Sequence, residues 1–260
     1  MTLPKNPDRK RTYYKITNKK ENHRGLQYHD GLVVDPKPFN SNPIFSCVEG
    51  GIYFSTKEYI HRFLEYGCWI RPIRIPKDAK VIVDPSGDKY RADKLFFEPR
   101  KDFGWYFDNL FDRKAFPKDR HWMFAKCCSD YFDKWFDKKL FSINGYWALA
   151  RYCSDHFDKW FDRKLFPRNE YRDLAKYCPD HFDKWFDKRS FPKEHYRALA
   201  KYCSDHFDKW FDKNTFPKKE YWRLAQHCPN NFDEWFESFP KDSYWALVEY
   251  CQKYCNKWKS

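Results

Sequence analysis

FPKEHYRALAKYCSDHFDKWFDK, running from Phe191 to Lys213, decides how most of this chain folds. Tyr196, Leu199, Ala200 and Cys203 fall at i, i+3, i+4 and i+7, which is one apolar stripe of a helix, termed helix A. Pro192 suits the first turn of that helix, where no backbone N–H is required. Ser204 and Asp205 then mark a second start, with the Asp answering the helix dipole. Phe207, Trp210 and Phe211, at i, i+3 and i+4, form the stripe of helix B. Neither helix, at roughly ten residues, is stable alone, so each hairpin needs neighbours to supply its burial.

The neighbours are present. Phe107, Phe132, Phe157, Phe182, Phe207 and Phe232 stand in steps of 25 residues, the mark of a repeat architecture. The proline recurs at Pro117, Pro167, Pro217 and, in a last unit two residues shorter, at Pro240. Alternate units start helix B with Pro179-Asp180 or Pro229-Asn230. The array runs from about Phe107 to Trp258, and its expected core includes Trp135, Trp160, Trp185, Trp210 and Trp235 with Cys153, Cys178 and Cys203. The first unit carries Leu110 in the Trp position and the last ends in the polar CQKYCNKWKS, as capping repeats do.

The 260 residues are 22% aromatic and 33% charged, with a mean hydropathy of −0.99. Aromatic side chains bring a large apolar area each, so a chain this polar still holds a core. No apolar run approaches the roughly 20 residues needed to span a bilayer, and the N-terminus lacks the apolar stretch of a secretory signal, so no membrane partner is expected. Six of the ten cysteines (Cys128, Cys153, Cys178, Cys203, Cys228 and Cys251) recur at one position of the repeat. Equivalent positions on stacked helices lie roughly 8 to 10 Å apart, too far for a disulfide, so these read as small buried residues in a reducing compartment.

Nearly half of the net charge of +13 falls in the first 24 residues. Lys5, Arg9, Lys10, Arg11, Lys15, Lys19, Lys20 and Arg24 face only Asp8 and Glu21, and such a stretch suits phosphate or an acidic partner, unless it is simply a solvated terminus.

Several features of the repeat invite chemistry. Cys153 with His156, Cys178 with His181 and Cys203 with His206 form C-x-x-H pairs, yet zinc needs four ligands about one point, and Tyr131 and Asn231 replace His in other units. No metal and no cofactor are therefore expected. Asp183 with Asp187, or Asp208 with Asp212, resemble paired catalytic carboxylates, but five copies interleaved with lysines read as a salt-bridged helix face. Aromatics among lysines suit nucleic-acid binding. Against this, Phe, Trp and Phe are the only apolar stripe of helix B, and base-reading repeats vary at a few fixed positions. Variation here collects in the connectors KKLFSING, RKLFPRNE, KRSFPKEH and KNTFPKKE, a candidate binding edge with a basic bias.

Residues 12 to about 100 read as a small α+β unit, with strands at Leu32 to Val34, Gly51 to Phe54, Trp69 to Ile75, Lys80 to Val83 and Lys94 to Phe97. Thr56 to Tyr66 reads as a helix closed by Gly67. Here YYKITNKKENHRGLQYHDGL, SCVEGGIYFSTKEYIHRFLEYG, IRPIRIP and VDPSGDKYRADKLFF resemble the N-terminal module of mimivirus-type giant-virus proteins. In that group the module often precedes ankyrin repeats and, in some members, aromatic repeats similar to ALAKYCSDHFDKWFD; the resemblance covers nearly the whole chain. It implies a viral protein of the host-cell cytoplasm, a viral factory or the virion. The order of His29, Tyr53 and Glu98 is also similar to the His, Tyr and Glu elements of ADP-ribosyltransferases, where His and Tyr hold NAD and Glu orients the ribose. An edge-strand His, a core Tyr and a surface Glu account for the same residues without any activity, and that is the preferred reading.

The expected architecture is thus an α+β N-terminal domain followed by an all-α helical-hairpin repeat solenoid: a basic arm at 1–11, the α+β domain at 12–104, and six repeats at 105–260. The expected function is non-enzymatic: interaction or scaffolding through the repeat surface, with a protein partner or self-assembly. Nucleic-acid binding and an ADP-ribosyltransferase-like N-terminal domain are the alternatives.

Overall fold

The computed structural model describes residues 3, 4, 6–113 and 116–254. The chain divides into two compact units, Met1–Phe136 and Asp137–Ser260.

The first unit is built on a four-stranded antiparallel sheet in the order β1 (Tyr13–Thr17), β6 (Trp69–Arg74), β9 (Lys94–Phe97), β4 (Gly31–Val34). A three-stranded sheet, β5 (Ile52–Phe54), β8 (Tyr90–Ala92) and β7 (Val81–Val83), joins it where Tyr14 and Ser55 exchange backbone hydrogen bonds of 2.8 Å. The hairpin β2 (Asn22–His23) and β3 (Leu26–Gln27) turns through Arg24 and Gly25, both at positive φ, the mirror-image turn that matches strand twist. The core is aromatic: Tyr13 packs edge-on against Phe54 at 5.3 Å and Tyr90 at 5.7 Å.

The five expected strands are all present, but β1, β2, β3 and β8 carry no clear strand signal. β1 and β8 are buried along their whole length, and each contains a buried cation, Lys15 and Arg91, that interrupts the apolar pattern. The expected helix is a 3-10 helix, Ile60–Tyr66. Gly67 does not close it in a left-handed conformation, since its φ of 177° is extended. Glycine is needed there because a Cβ would lie 2.0 Å from the Thr17 carbonyl oxygen.

Three helices belong to the same unit: α1 (Phe103–Asn109), α2 (Trp122–Cys127) and α3 (Phe132–Trp135). Asp102 caps α1 by accepting from Trp105 N at 2.8 Å. The unit boundary falls beyond the composition shift at 104 because the first repeat packs on the sheet unit. The His61 ring meets Phe116 at 4.8 Å, and Lys126 pairs with Glu65 at 2.6 Å.

The second unit contains α4 (Tyr146–Tyr152), α5 (Phe157–Trp160), α6 (Tyr171–Tyr177), α7 (Phe182–Trp185), α8 (Tyr196–Tyr202), α9 (Phe207–Trp210), α10 (Trp222–His227), α11 (Phe232–Trp235) and α12 (Tyr244–Tyr250). The even-numbered A helices pack on one another in series, α4 on α6, α6 on α8, α8 on α10 and α10 on α12, which is solenoid packing. Tyr196, Leu199, Ala200, Cys203, Phe207 and Trp210 are all buried, as the periodicity requires.

Three local readings change. Pro192 sits one position before the first turn, with ψ of 127°, and a 3-10 turn Lys193–His195 leads into α8. Ser204 does not cap helix B with its side chain; Cys203 occupies the capping position, and Ser204–His206 form a 3-10 turn before α9. Helix B is therefore seven residues, because Phe211 turns extended at ψ of 140°.

Candidate interaction surface

Each repeat is tied to the previous one by the same set of contacts. Cys178 Sγ donates to Ala150 O at 3.4 Å, Cys203 Sγ to Ala175 O at 3.5 Å and Cys228 Sγ to Ala200 O at 3.5 Å. Burial pushes the thiols of Cys153, Cys178, Cys203 and Cys228 up to about 12, so they stay protonated donors. His181 and His206 of the C-x-x-H pairs use their rings for stacking. His181 stacks on Phe157 and His206 on Phe182, each at 4.4 Å, and Tyr254 takes the same place on Phe232 at 4.7 Å. Among the described residues no three His, Cys, Asp or Glu side chains gather where a metal could sit.

The Asp and Lys residues of helix B form ladders between repeats; the pairs do not run along one helix. Lys184 reaches Asp158 and Lys209 reaches Asp183, each at 2.5 Å. The lysines hold both carboxyls below the usual carboxylate range, chiefly through their hydrogen bonds. A second ladder pairs Lys138 with Asp162 at 3.1 Å and Lys188 with Asp212 at 3.5 Å. Asp187 and Asp212 lie past the end of helix B, so the Asp pairs are not one helical turn apart. Asp187 accepts from Arg189 N at 3.1 Å and Asp212 from Asn214 N at 2.9 Å, fixing the connector. Arg163 and Lys188 also donate to the carbonyls of Lys184 and Phe211 in the next repeat, satisfying helix ends. The basic bias of the connectors is partly neutralised in this way.

The outer face of the A helices differs. Arg151, Lys176 and Lys201 are exposed and have no carboxylate partner among the described residues. They lie against aromatics: Arg151 over Tyr152 at 5.2 Å and over Tyr177 of the next repeat at 5.5 Å, Lys176 over Tyr177 at 4.7 Å, and Lys201 over Tyr202 at 5.2 Å. Arg172 on α6 and Arg197 on α8 add exposed charge that has no carboxylate partner among the described residues. At the end of the array Trp245 and Val248 are about half exposed. This face was missed in the sequence because Arg, Lys and Tyr in a helix read equally as solvated filler.

The basic stretch at the N-terminus is not an arm. Arg9 donates to the carbonyls of Pro76 and Ala79, Arg11 grips Glu58 at 2.6 and 2.7 Å, and Lys15 is buried in β1. Strand pairing by Tyr13–Thr17 draws these residues onto the sheet unit. Lys10, Lys19 and Lys20 stay exposed, and Lys5 lies outside the described residues. His29, Tyr53 and Glu98 do not share one cavity. His29 is exposed with Nδ1 on Asp30 O, Glu98 pairs with Arg74 at 3.2 Å, and Tyr53 lines two cavities of this unit that neither His29 nor Glu98 lines.

A small β-rich module followed by aromatic helical hairpins in stacked series defines a repeat protein, an architecture suited to interaction with other proteins. The comparisons agree. R868 of Acanthamoeba polyphaga mimivirus, named for ankyrin repeats, is 43% identical over 93 residues, 35% of this chain and 46% of that protein. R869 of the same virus, named only as uncharacterized, is 43% identical over 75 residues, 28% of this chain and 54% of that protein. R896, again named for ankyrin repeats, is 38% identical over 92 residues, 34% of this chain and 27% of its own length. This chain spans about half the length of the first two and about a quarter of the third. The similarity lies in the N-terminal portion, so the protein is of mimivirus type and carries the module those proteins share. No family model matches the chain, and no solved structure does. Among the described residues no helix is long and apolar enough to cross a membrane.

Proposed function

We propose that the chain is a non-enzymatic interaction or scaffold protein of a giant virus, working in the host-cell cytoplasm, the viral factory or the virion. In this reading the A-helix face of the repeats holds an acidic protein surface. The observation that carries it is the contrast between two kinds of charge: on helix B, Lys184 and Lys209 are taken up by Asp158 and Asp183 of the preceding repeat, whereas Arg151, Lys176 and Lys201 have no carboxylate partner among the described residues and lie against tyrosines. Arg and Tyr are favoured at interface centres, because each combines apolar area with directed polar groups. The basic charge also supports a second reading, in which the same face binds nucleic acid.

The full chain, immobilised, would be exposed to infected-cell extract with and without nuclease and at two salt concentrations, beside an Arg151→Glu, Lys176→Glu, Lys201→Glu variant. Retention of a protein after nuclease, lost in the variant, is the expected result. Recovery that vanishes with nuclease or moderate salt assigns the face to nucleic acid. Equal retention by the variant removes the A-helix face from the reading.

A further inference from the structure

Between β1, β5 and the 3-10 helix Ile60–Tyr66 lies a cavity of about 230 Å3. Six Phe and Tyr side chains line it, Tyr14, Tyr28, Phe54 and Phe63 among them, and no Asp or Glu does among the described residues. Three cations do: Lys15, Arg24 and Lys89. A second cavity of about 250 Å3 shares His23, Arg24, Tyr28 and Tyr53 with the first.

Lys15 is the group the fold does not explain. It is only 8% exposed, and the strand register sets it opposite another buried cation, Arg71. Arg71 is neutralised: Glu21 takes it at 2.5 and 2.9 Å and Asp30 at 2.6 Å. Lys15 has no carboxylate among the described residues. Its ammonium spends one proton on Tyr53 O at 2.9 Å and lies 4.8 Å from the centre of the Tyr28 ring. Buried charges are ordinarily paired, because desolvation of an isolated ion costs several kcal/mol. Here burial alone lowers the amine from 10.5 to about 8, and it remains mostly a cation at neutral pH. A methionine or leucine would fill the same space at no such cost, so the charge serves something other than the fold.

We propose that this cavity binds a small organic anion with a planar apolar body, with the Lys15 ammonium as the counter-ion and the aromatic walls holding the ring. Arg24 sits at the mouth, held by its turn and by a bond of 3.1 Å to Cys47 O, and adds a second positive group. The cavity lies at the small end for ligand sites, which fits a single ring, and its neighbour leaves room for a substituent. The inference stands apart from the interaction reading, since it concerns only the N-terminal module.

The test is calorimetric titration of the full chain with four probes: benzoate and phenyl phosphate, which carry ring and charge, benzyl alcohol, which carries the ring alone, and inorganic phosphate. A ring-bearing anion should bind, with Lys15→Met weakening it about tenfold or more and with affinity falling as pH rises through about 8. Arg24→Asn, which keeps the left-handed turn and removes an exposed charge, should weaken it several-fold, and it carries the test should Lys15→Met not fold. Binding of neither ring-bearing anion, equal binding of benzyl alcohol, or affinity unchanged in the variants that fold would each overturn the proposal.

Discussion

Trp210 donates its indole N–H to the carbonyl of Cys203 across 2.8 Å, and both residues are sealed from solvent. The same bond joins Trp135 to Cys128, Trp160 to Cys153, Trp185 to Cys178 and Trp235 to Cys228. The tryptophan ties helix B back to the end of helix A, while the thiol of the same cysteine reaches the repeat before. One small residue thereby serves as joint within the hairpin and between hairpins.

Trp210→Phe keeps a ring and loses the N–H and part of the volume, while the Cys203 carbonyl keeps its bond from His206 N. The expected loss is about 2 kcal/mol, read from the urea midpoint at unchanged m-value. A change below about 0.5 kcal/mol would show that the indole bond does not hold the hairpin.

Thiol labelling should split the cysteines. Cys47 and Cys68 are exposed and should react with a disulfide reagent at pH 8. Cys153, Cys178, Cys203 and Cys228, buried and raised to about 12, should react only after denaturant is added. Early reaction at a repeat cysteine would mean that the stack opens locally.

Lys15→Met should raise stability at pH 7, by up to about 3 kcal/mol. Burial lowers the folded-state value to about 8 against 10.5 unfolded, so between those limits the unfolded chain binds more protons and wild-type stability rises with pH. The advantage of the variant is therefore largest below pH 8 and fades toward pH 10.5. An advantage constant across that window would show that Lys15 is not titrating as a buried amine.

Glu170 gives the opposite slope. Burial first, and Asp173 beside it second, raise its carboxyl to about 7. A raised acid stabilises the folded chain below its unfolded value and loses that contribution as pH climbs through about 7, so the repeat unit should weaken between pH 4.5 and 7. Asp173→Ala, the residue found at Ala148 and Ala198, should flatten that dependence in thermal melts at a series of pH values.

Gly67→Ala should cost about 2 to 3 kcal/mol, because its Cβ would run into backbone that cannot yield. Gly25→Ala should cost only about 1 kcal/mol, since the space there is open and only the positive φ is disfavoured. Equal effects would show that small shifts relieve the contact with the Thr17 carbonyl, so that close approach does not set the cost at Gly67.

The 25-residue spacing and the Tyr, Leu, Ala, Cys, Phe and Trp stripe were enough to determine a stacked helical array and its core, since periodic burial is a local property repeated in register. Where each hairpin turns was also legible, apart from one-residue shifts at Pro192 and Ser204. The basic stretch was not legible as structure. Lys15 and Arg11 look like solvated charge until β1 pairs with β6 and the fold brings Glu58 to Arg11, Glu21 to Arg71 and, among the described residues, nothing acidic to Lys15. The destination of the Asp and Lys residues was likewise undecided, because i, i+4 partners along a helix and partners 26 residues away have the same composition. Charge pairing and cavities depend on which distant segments meet, and no local pattern encodes that meeting; only the tertiary structure decided which cations are spent on the fold and which, among the described residues, stay without a carboxylate.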